Sequence, residues 1–273
     1  MLIDTHCHIH DRSCYNFALS RQQIGKKLLK SHPDYPRLPE DFIPDKIINR
    51  AHEAGVDKMI CIGTSHEDSL NARDFAIAHA KEGVYWSYGI HPDEASHYQV
   101  GENCIDSFTI APVAIGEVGL DYSRSEANRK NQIKLFERML QLAKDNDLPA
   151  IFHIREAFDD FFAIIDNFPD VRGVVHSFSD NSKNLKKSLE KGFYIGVNGL
   201  ATFAPELPTY EIPLNKILLE TDAPFLTPTP FRGTVNEPAH IKEICAYLSN
   251  ITGESEALVA EITTKNAKQL FQI

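Results

Sequence analysis

The sequence predicts an α/β chain folded as a (β/α)8 barrel, and three observations predict it. Short apolar, β-branched runs alternate with longer amphipathic segments, which implies parallel strands joined by helical crossovers. Eight such runs fit in 273 residues, the usual length of one barrel. An open doubly wound sheet is the runner-up, but it needs a glycine-rich phosphate loop after the first strand. That position reads His6-Cys7-His8. One barrel domain over residues 1–273 is expected, with an extended connection over 11–44.

The expected strands are Leu2–Thr5, Lys58–Gly63, Val84–Ile90, Val113–Gly116, Ala150–His153, Gly173–His176, Phe193–Val197 and Ile217–Thr221. Between them the apolar spacing predicts helices over Asp45–Ala54, Glu67–Lys81, Arg129–Asn146, Ala157–Asn167 and Asn184–Lys191. Two more follow the last strand, Pro238–Thr252 and Ser255–Phe271. The stretch from Asp11 to Pro44 is too long for a simple connector and reads as a functional loop over the barrel mouth. It carries Arg21, Lys26, Lys27, Lys30 and Arg37 with Tyr15, Phe17 and Tyr35, residue types that grip phosphates and stack bases. A solvated lid with no ligand role is the alternative.

Composition limits the function classes. Twenty-eight Lys and Arg against 38 Asp and Glu give a net charge of −10, which argues against a broad basic surface for duplex nucleic acid. It leaves open a site where cations meet phosphate. The five cysteines are scattered without a C-x-x-C pair, as in a reduced cytoplasmic protein. No run approaches the roughly 20 apolar residues of a membrane span, and the first residues lack the layout of a signal peptide.

The chemistry sits at the ends of the runs. In a strand, His6 and His8 share one face, so two imidazoles can converge on one ion while Cys7 points away into packing. Glu117 follows the fourth run, His153 the fifth, His176 the sixth and Asp222 the eighth. Barrel active sites form at these C-terminal ends. Four imidazoles and two carboxylates exceed one tetrahedral ion, and suit two ions about 3.5–4 Å apart with a bridging carboxylate. Each residue alone is better explained by ordinary hydrogen bonding; the six together are not. Glu220, two before Asp222, is expected to orient a water, or else to fill the interior. Arg155, sharing a face with His153, suits a phosphate or a carboxylate partner. His91 suits charge neutralisation or general acid work, or a loop position before Pro92. Arg232 suits an anion at a helix start, where Asn236 is either a substrate contact or a capping residue.

These stretches resemble the TatD-type metal-dependent hydrolases. The matching motifs are Leu2-Ile3-Asp4-Thr5-His6-Cys7-His8, Gly89-Ile90-His91-Pro92, Ile115-Gly116-Glu117-Val118-Gly119-Leu120-Asp121, His153-Ile154-Arg155-Glu156-Ala157, Val174-Val175-His176-Ser177-Phe178-Ser179, Leu219-Glu220-Thr221-Asp222-Ala223-Pro224, and Arg232-Gly233 with Asn236-Glu237-Pro238. The resemblance implies two divalent ions, Mg, Mn, Zn or Ni: one on His6, His8 and Asp222, the other on His153 and His176, bridged by Glu117. It implies hydrolysis of DNA phosphodiesters; on the reading of the residues given above, Asp222, Glu220 and His91 are then expected to be catalytic and Arg155, Arg232 and Asn236 to meet the substrate. Some relatives deacylate D-aminoacyl-tRNA, so amide, ester or lactone hydrolysis is the alternative, and a metal-loaded binding protein the second. The chain departs from the family pattern in two places. His10 stands where the family has Asp or Asn, and the 11–44 connection is longer.

Overall fold

The computed structural model describes residues 1–20, 43–97, 110–123 and 128–273. Its elements in order are β1 (Leu2–Cys7), α1 (Arg12–Ser20), α2 (Pro44–Glu53), β2 (Val56–Ile62), α3 (His66–Ala78), β3 (Val84–Ser87), β4 (Ile115–Asp121), α4 (Arg129–Asp145) and β5 (Ala150–Arg155). They continue with α5 (Phe158–Ile165), β6 (Gly173–Val175), α6 (Ser182–Glu190), β7 (Tyr194–Val197), β8 (Ile217–Leu219), α7 (Ile241–Thr252) and α8 (Glu256–Phe271).

All strand pairs are parallel and follow chain order in two runs, β1-β2-β3 and β4 through β8. Single parallel bridges join the runs at both seams, Tyr88 to Ile115 and Cys7 to Ala223. Backbone bonds reinforce the seams. Gly116 N–H donates to the Tyr88 carbonyl at 2.7 Å, and Asp222 N–H to the His6 carbonyl at 2.8 Å. The eight strands therefore form the ring that the alternating pattern predicts.

Side chains that face into the ring form their own apolar layer. Ile3, Ile60, Ile62, Ala114, Ile151, Val174 and Leu218 pack against Ala267, Leu270 and Phe271 of α8, which plugs the end opposite the strand C-termini. A larger layer lies between strands and helices, around Phe136, Phe152, Phe161 and Phe193. Helix starts are fixed where the sequence offers a cap. Ser65 accepts from Asp68 N–H at α3, Asn181 from Asn184 N–H at α6, and Ser255 from Leu258 N–H at α8.

Register shifts interrupt the ladders, and two of them bear on strands at positions that carry site residues. Between Asp4 and Cys7, β1 spends one residue more than β2, since Asp4 pairs with Met59 and Cys7 with Cys61. Between Ile115 and Val118, β4 does the same against β5. A bulge switches the face of every residue beyond it. Ile3 and His6 thus both face inward, as do Ala114 and Glu117. The fourth strand also runs on to Asp121 rather than stopping at Gly116. Its two acids look like a strand end in sequence, but they point into the ring. The third strand stops at Ser87, short of Ile90, and α7 begins at Ile241 after a 3-10 turn over residues 238–240.

The expected phosphate-gripping loop begins as α1. Tyr15 is fully buried, and its hydroxyl donates to Glu237 Oε1 at 3.2 Å. Arg50 binds the same carboxylate through two donors at 2.6 and 2.7 Å. Tyr15 is thus a packing residue, whereas Phe17 is 50% exposed. Arg21, Lys26, Lys27, Lys30, Tyr35 and Arg37 lie outside the described residues. Among the described residues, no helix is long and apolar enough to cross a membrane.

Candidate metal centre

Six side chains from five strands meet at the C-terminal mouth. β1 supplies His6 and, one residue beyond it, His8; β4 supplies Glu117; β5 His153; the exit of β6 His176; the exit of β8 Asp222. The last two exits use strained backbone. Ser177, next to His176, has φ 48°, and Asp222 itself has φ 56°, the left-handed region that non-glycine residues occupy rarely. That turn points the Asp222 carboxylate back over the ring.

Glu117 divides its two oxygens between two sets of imidazoles. Oε2 lies 3.6 Å from His6 Nε2. Oε1 lies 2.6 Å from His153 Nδ1 and 3.9 Å from His176 Nε2. Asp222 Oδ1 lies 3.6, 3.5 and 3.9 Å from His6, His8 and His176 Nε2. Most of these separations are too long for hydrogen bonds. They match two donors that share a cation, because ligands about 2.1 Å from a tetrahedral ion sit about 3.4 Å apart. His6 supplies a second indication. It is fully buried, and neither of its ring nitrogens has a hydrogen-bond partner. Buried polar nitrogens are normally paired. His6–His176–Asp222, His6–His8–Glu117 and His91–Glu117–His153 each bring three ligand atoms within 4.8 Å of one another.

Among the described residues, no Lys or Arg pairs with the acids of the centre. Every ion-pair partner of Glu117, Asp121, Glu220 and Asp222 among the described residues is a histidine. Burial opposes the charged form of Glu117, yet His153, His176 and His6 hold its pKa well below the carboxylate range. Burial likewise opposes protonation of His153, but Glu117 and Asp121 raise it to about 9. His176 rises to about 10, against burial, through Glu220, Glu117 and Asp222. His6 moves the other way, far below its ordinary value, because burial and His176 both disfavour its cation. Its ring stacks on His176 with centroids 3.4 Å apart.

Two carboxylates stand behind the histidines. Asp121 Oδ2 lies 3.2 Å from His153 Nε2, and its other oxygen accepts from Ser123 N–H and Oγ. Residue typing at the strand ends did not assign this acid, though its i+4 position from Glu117 on one inward face was readable. Glu220 corrects an expectation. It is 1% exposed and does not face open space where a water would sit. Its Oε1 accepts from Ser177 N–H at 2.7 Å and lies 3.0 Å from His176 Nδ1, out of line for a good hydrogen bond but within ion-pair range. Gly196 makes room for it, since a Cβ there would sit 2.6 Å from the Glu220 carboxylate carbon.

His91 joins the group edge-on to His153, with centroids 4.4 Å apart. Its Nδ1 accepts from Asp93 N–H at 3.2 Å, and burial lowers its pKa to about 4. The ring is therefore neutral with its proton on Nε2, a hydrogen-bond donor rather than the cation or acid expected from sequence. Other expected contacts fall outside the cluster. Arg155 is exposed at the end of β5, with no ion-pair partner among the described residues. Arg232 lies flat on Phe203, 3.5 Å from the ring centroid, and donates to the Thr227 carbonyl at 3.2 Å. Asn236, expected on the substrate, is fully buried. Its amide donates to the Thr221 and Phe225 carbonyls and accepts from Glu237 N–H and His240 Nδ1. Those bonds use the whole amide to fix the loop after β8, and it caps no helix. His10 pairs with Asp68 Oδ1 at 3.1 Å, a partly buried contact between the turn after β1 and α3.

Comparisons with known proteins converge on one group. A family model described as "TatD related DNase" matches residues 3–272. The metal-dependent hydrolase YcfH of Escherichia coli strain K12, named as uncharacterized, is 29% identical over 100% of this chain and 96% of its own length. A protein of Citrobacter koseri named 3'-5' ssDNA/RNA exonuclease TatD is 34% identical over 84% of this chain and 93% of its own. Among solved structures, YJJV, a TatD homologue from Escherichia coli K12, superposes with a TM-score of 0.79 at 26% identity, covering 100% of this chain and 98% of that one.

Proposed function

The chain belongs to the TatD family of metal-dependent hydrolases, and from that premise we propose that it hydrolyses phosphodiester bonds of single-stranded nucleic acid, DNA first, at a pair of divalent cations. His6, His8 and Asp222 would hold one ion and His153 and His176 the other, with Glu117 between them. The observation that carries this is the division of Glu117, one oxygen toward His6 and the other toward His153 and His176. The name of the Citrobacter relative supports the single-stranded substrate. A pair of cations there would lower the pKa of a water and offset charge on the phosphoryl group.

The protein's own groups then have separable tasks. Asp222 is the most open carboxylate of the centre, its side chain 15% exposed against 6% for Glu117 and 1% for Glu220. Its carboxylate takes the proton of the attacking water. His91 Nε2–H donates to a phosphoryl oxygen as negative charge builds there. Glu220 and Asp121 keep His176 and His153 in register and never touch substrate. Arg155, exposed beside His153 on the rim, meets the scissile phosphate or its neighbour.

Purified protein assayed with Mg²⁺, Mn²⁺, Zn²⁺ or Ni²⁺ on single-stranded DNA, RNA, D-aminoacyl-tRNA and small esters tests the proposal. Single-stranded DNA is the expected best substrate. Glu117→Ala should lose more than the roughly 100-fold that outer-shell changes cost. Turnover of esters without any phosphodiester cleavage, or full activity in Glu117→Ala, would overturn it.

A further inference from the structure

The two sides of the barrel mouth differ in chemistry. Beyond the exits of β4, β5 and β6 lies a cavity of about 330 Å³ lined by Glu156, Asp159, Asp160 and Asp180. Among the described residues that line it, the one cation is Arg129, which is spent on Asp160 through two donors at 2.7 Å. A chain of phosphates is repelled there.

The opposite side, at β1 and β8, is aromatic. Phe225, three residues past Asp222, stands edge-on to His8 with centroids 6.4 Å apart. Phe17 of α1 stands edge-on to Phe225 at 6.4 Å, with half its surface exposed. The rings make a stair from the metal centre to the surface. Phe225 is rigidly set, because its N–H donates to the Asp222 carbonyl at 2.8 Å and its carbonyl accepts from Asn236 at 2.6 Å. The same loop anchors Arg232, whose guanidinium donates to the Thr227 carbonyl two residues beyond Phe225. Stacked on Phe203, that group is exposed and holds further N–H donors for an anion.

We propose that the substrate strand crosses the mouth on the β1–β8 side, where Phe17 and Phe225 stack its bases and Arg232 meets its phosphates. This rests on the phosphodiesterase reading and adds its selectivity. A base reaches Phe17 only when it is unpaired, so the aromatic stair admits single strands and excludes duplex. The acid-lined cavity on the far side sets the direction.

Fluorescence anisotropy with a labelled oligothymidylate, in EDTA so that no turnover occurs, tests it. Phe17→Ala should bind about tenfold more weakly and Phe17→Trp about as well as wild type. An abasic oligonucleotide of equal length should bind wild type and Phe17→Ala alike, since the base that Phe17 holds is missing. Thermal melting checks that the exposed substitution leaves the fold intact. Equal affinity of wild type and Phe17→Ala for oligothymidylate, immeasurably weak binding of both included, overturns the proposal. Metal-supported cleavage is read separately. Cleavage that ignores Phe17 sinks the aromatic track alone, whereas Phe17-dependent binding without cleavage under any metal sinks the phosphodiesterase reading alone.

Discussion

Replacing Glu220 by glutamine separates two roles for that residue. Glutamine keeps the shape and can still accept the Ser177 N–H now bound at 2.7 Å. It removes the anion 3.0 Å from His176 Nδ1. That anion is the foremost of the groups that lift His176 to about 10 against the effect of burial, so the variant imidazole becomes less basic and less firmly oriented. Outer-shell changes of this kind typically cost 10- to 100-fold in metal affinity, or about 1.4–2.7 kcal/mol. Calorimetric titration of Mn²⁺ into metal-stripped protein should show one of two sites weakened by that factor. At saturating Mn²⁺, kcat should return to within a few-fold of wild type. The reasoning fails if metal affinity is unchanged while kcat falls a hundredfold, for then Glu220 acts on the attacking water.

Stability of the metal-free protein should fall as pH rises from 7 to 10. His153 and His176 are raised to about 9 and 10, so the stability they confer is complete below pH 6.5 and is lost as pH climbs through those values. Melting temperatures in EDTA should drop over this range, with metal-loaded protein much flatter; parallel curves would contradict the assignment. Asn236→Ala should lower the melting temperature by about 5–10 °C, because it strands several buried partners at a cost on the order of 3 kcal/mol. An unchanged melting temperature with a raised KM would instead return Asn236 to the substrate.

Much of the fold was legible because strand and helix periods differ, and because charged residues at the ends of apolar runs have no packing reason to be there. Those same features singled out six side chains that the structure brings together at the mouth. What the sequence could not carry was the face of each residue beyond a bulge. Counting by two from Ile3 or Ala114 sends His6 and Glu117 to the wrong side of the sheet, and only the extra residues in β1 and β4 bring them in. Secondary roles were illegible for a related reason. Glu220 and Asp222 look equivalent two residues apart, but the left-handed turn at Asp222 leaves one behind a histidine and the other at the mouth. Asn236 looked like a substrate contact or a cap because it stands just before a helix start. Its actual partners, the Thr221 and Phe225 carbonyls, lie 15 and 11 residues away in an irregular loop.

The choice of histidine as the counter-charge, with no Lys or Arg pair among the described residues, explains how this centre can be both stable and ready for cations. Four carboxylates, three of them buried, cannot stand together unless something positive accompanies them. Lysine or arginine would do so permanently and would compete with any metal. Imidazolium does so only until it gives up its proton. In the metal-free protein, His153 and His176 supply that charge; His6, held far below its ordinary pKa, keeps its lone pair exposed to the centre. Cations would therefore replace protons on His153 and His176 but meet His6 already neutral. Metal uptake should then release more protons from the His153–His176 half than from the other, where His8 is raised by Asp222 but His6 is not, which makes the His6 half the first to fill at low pH.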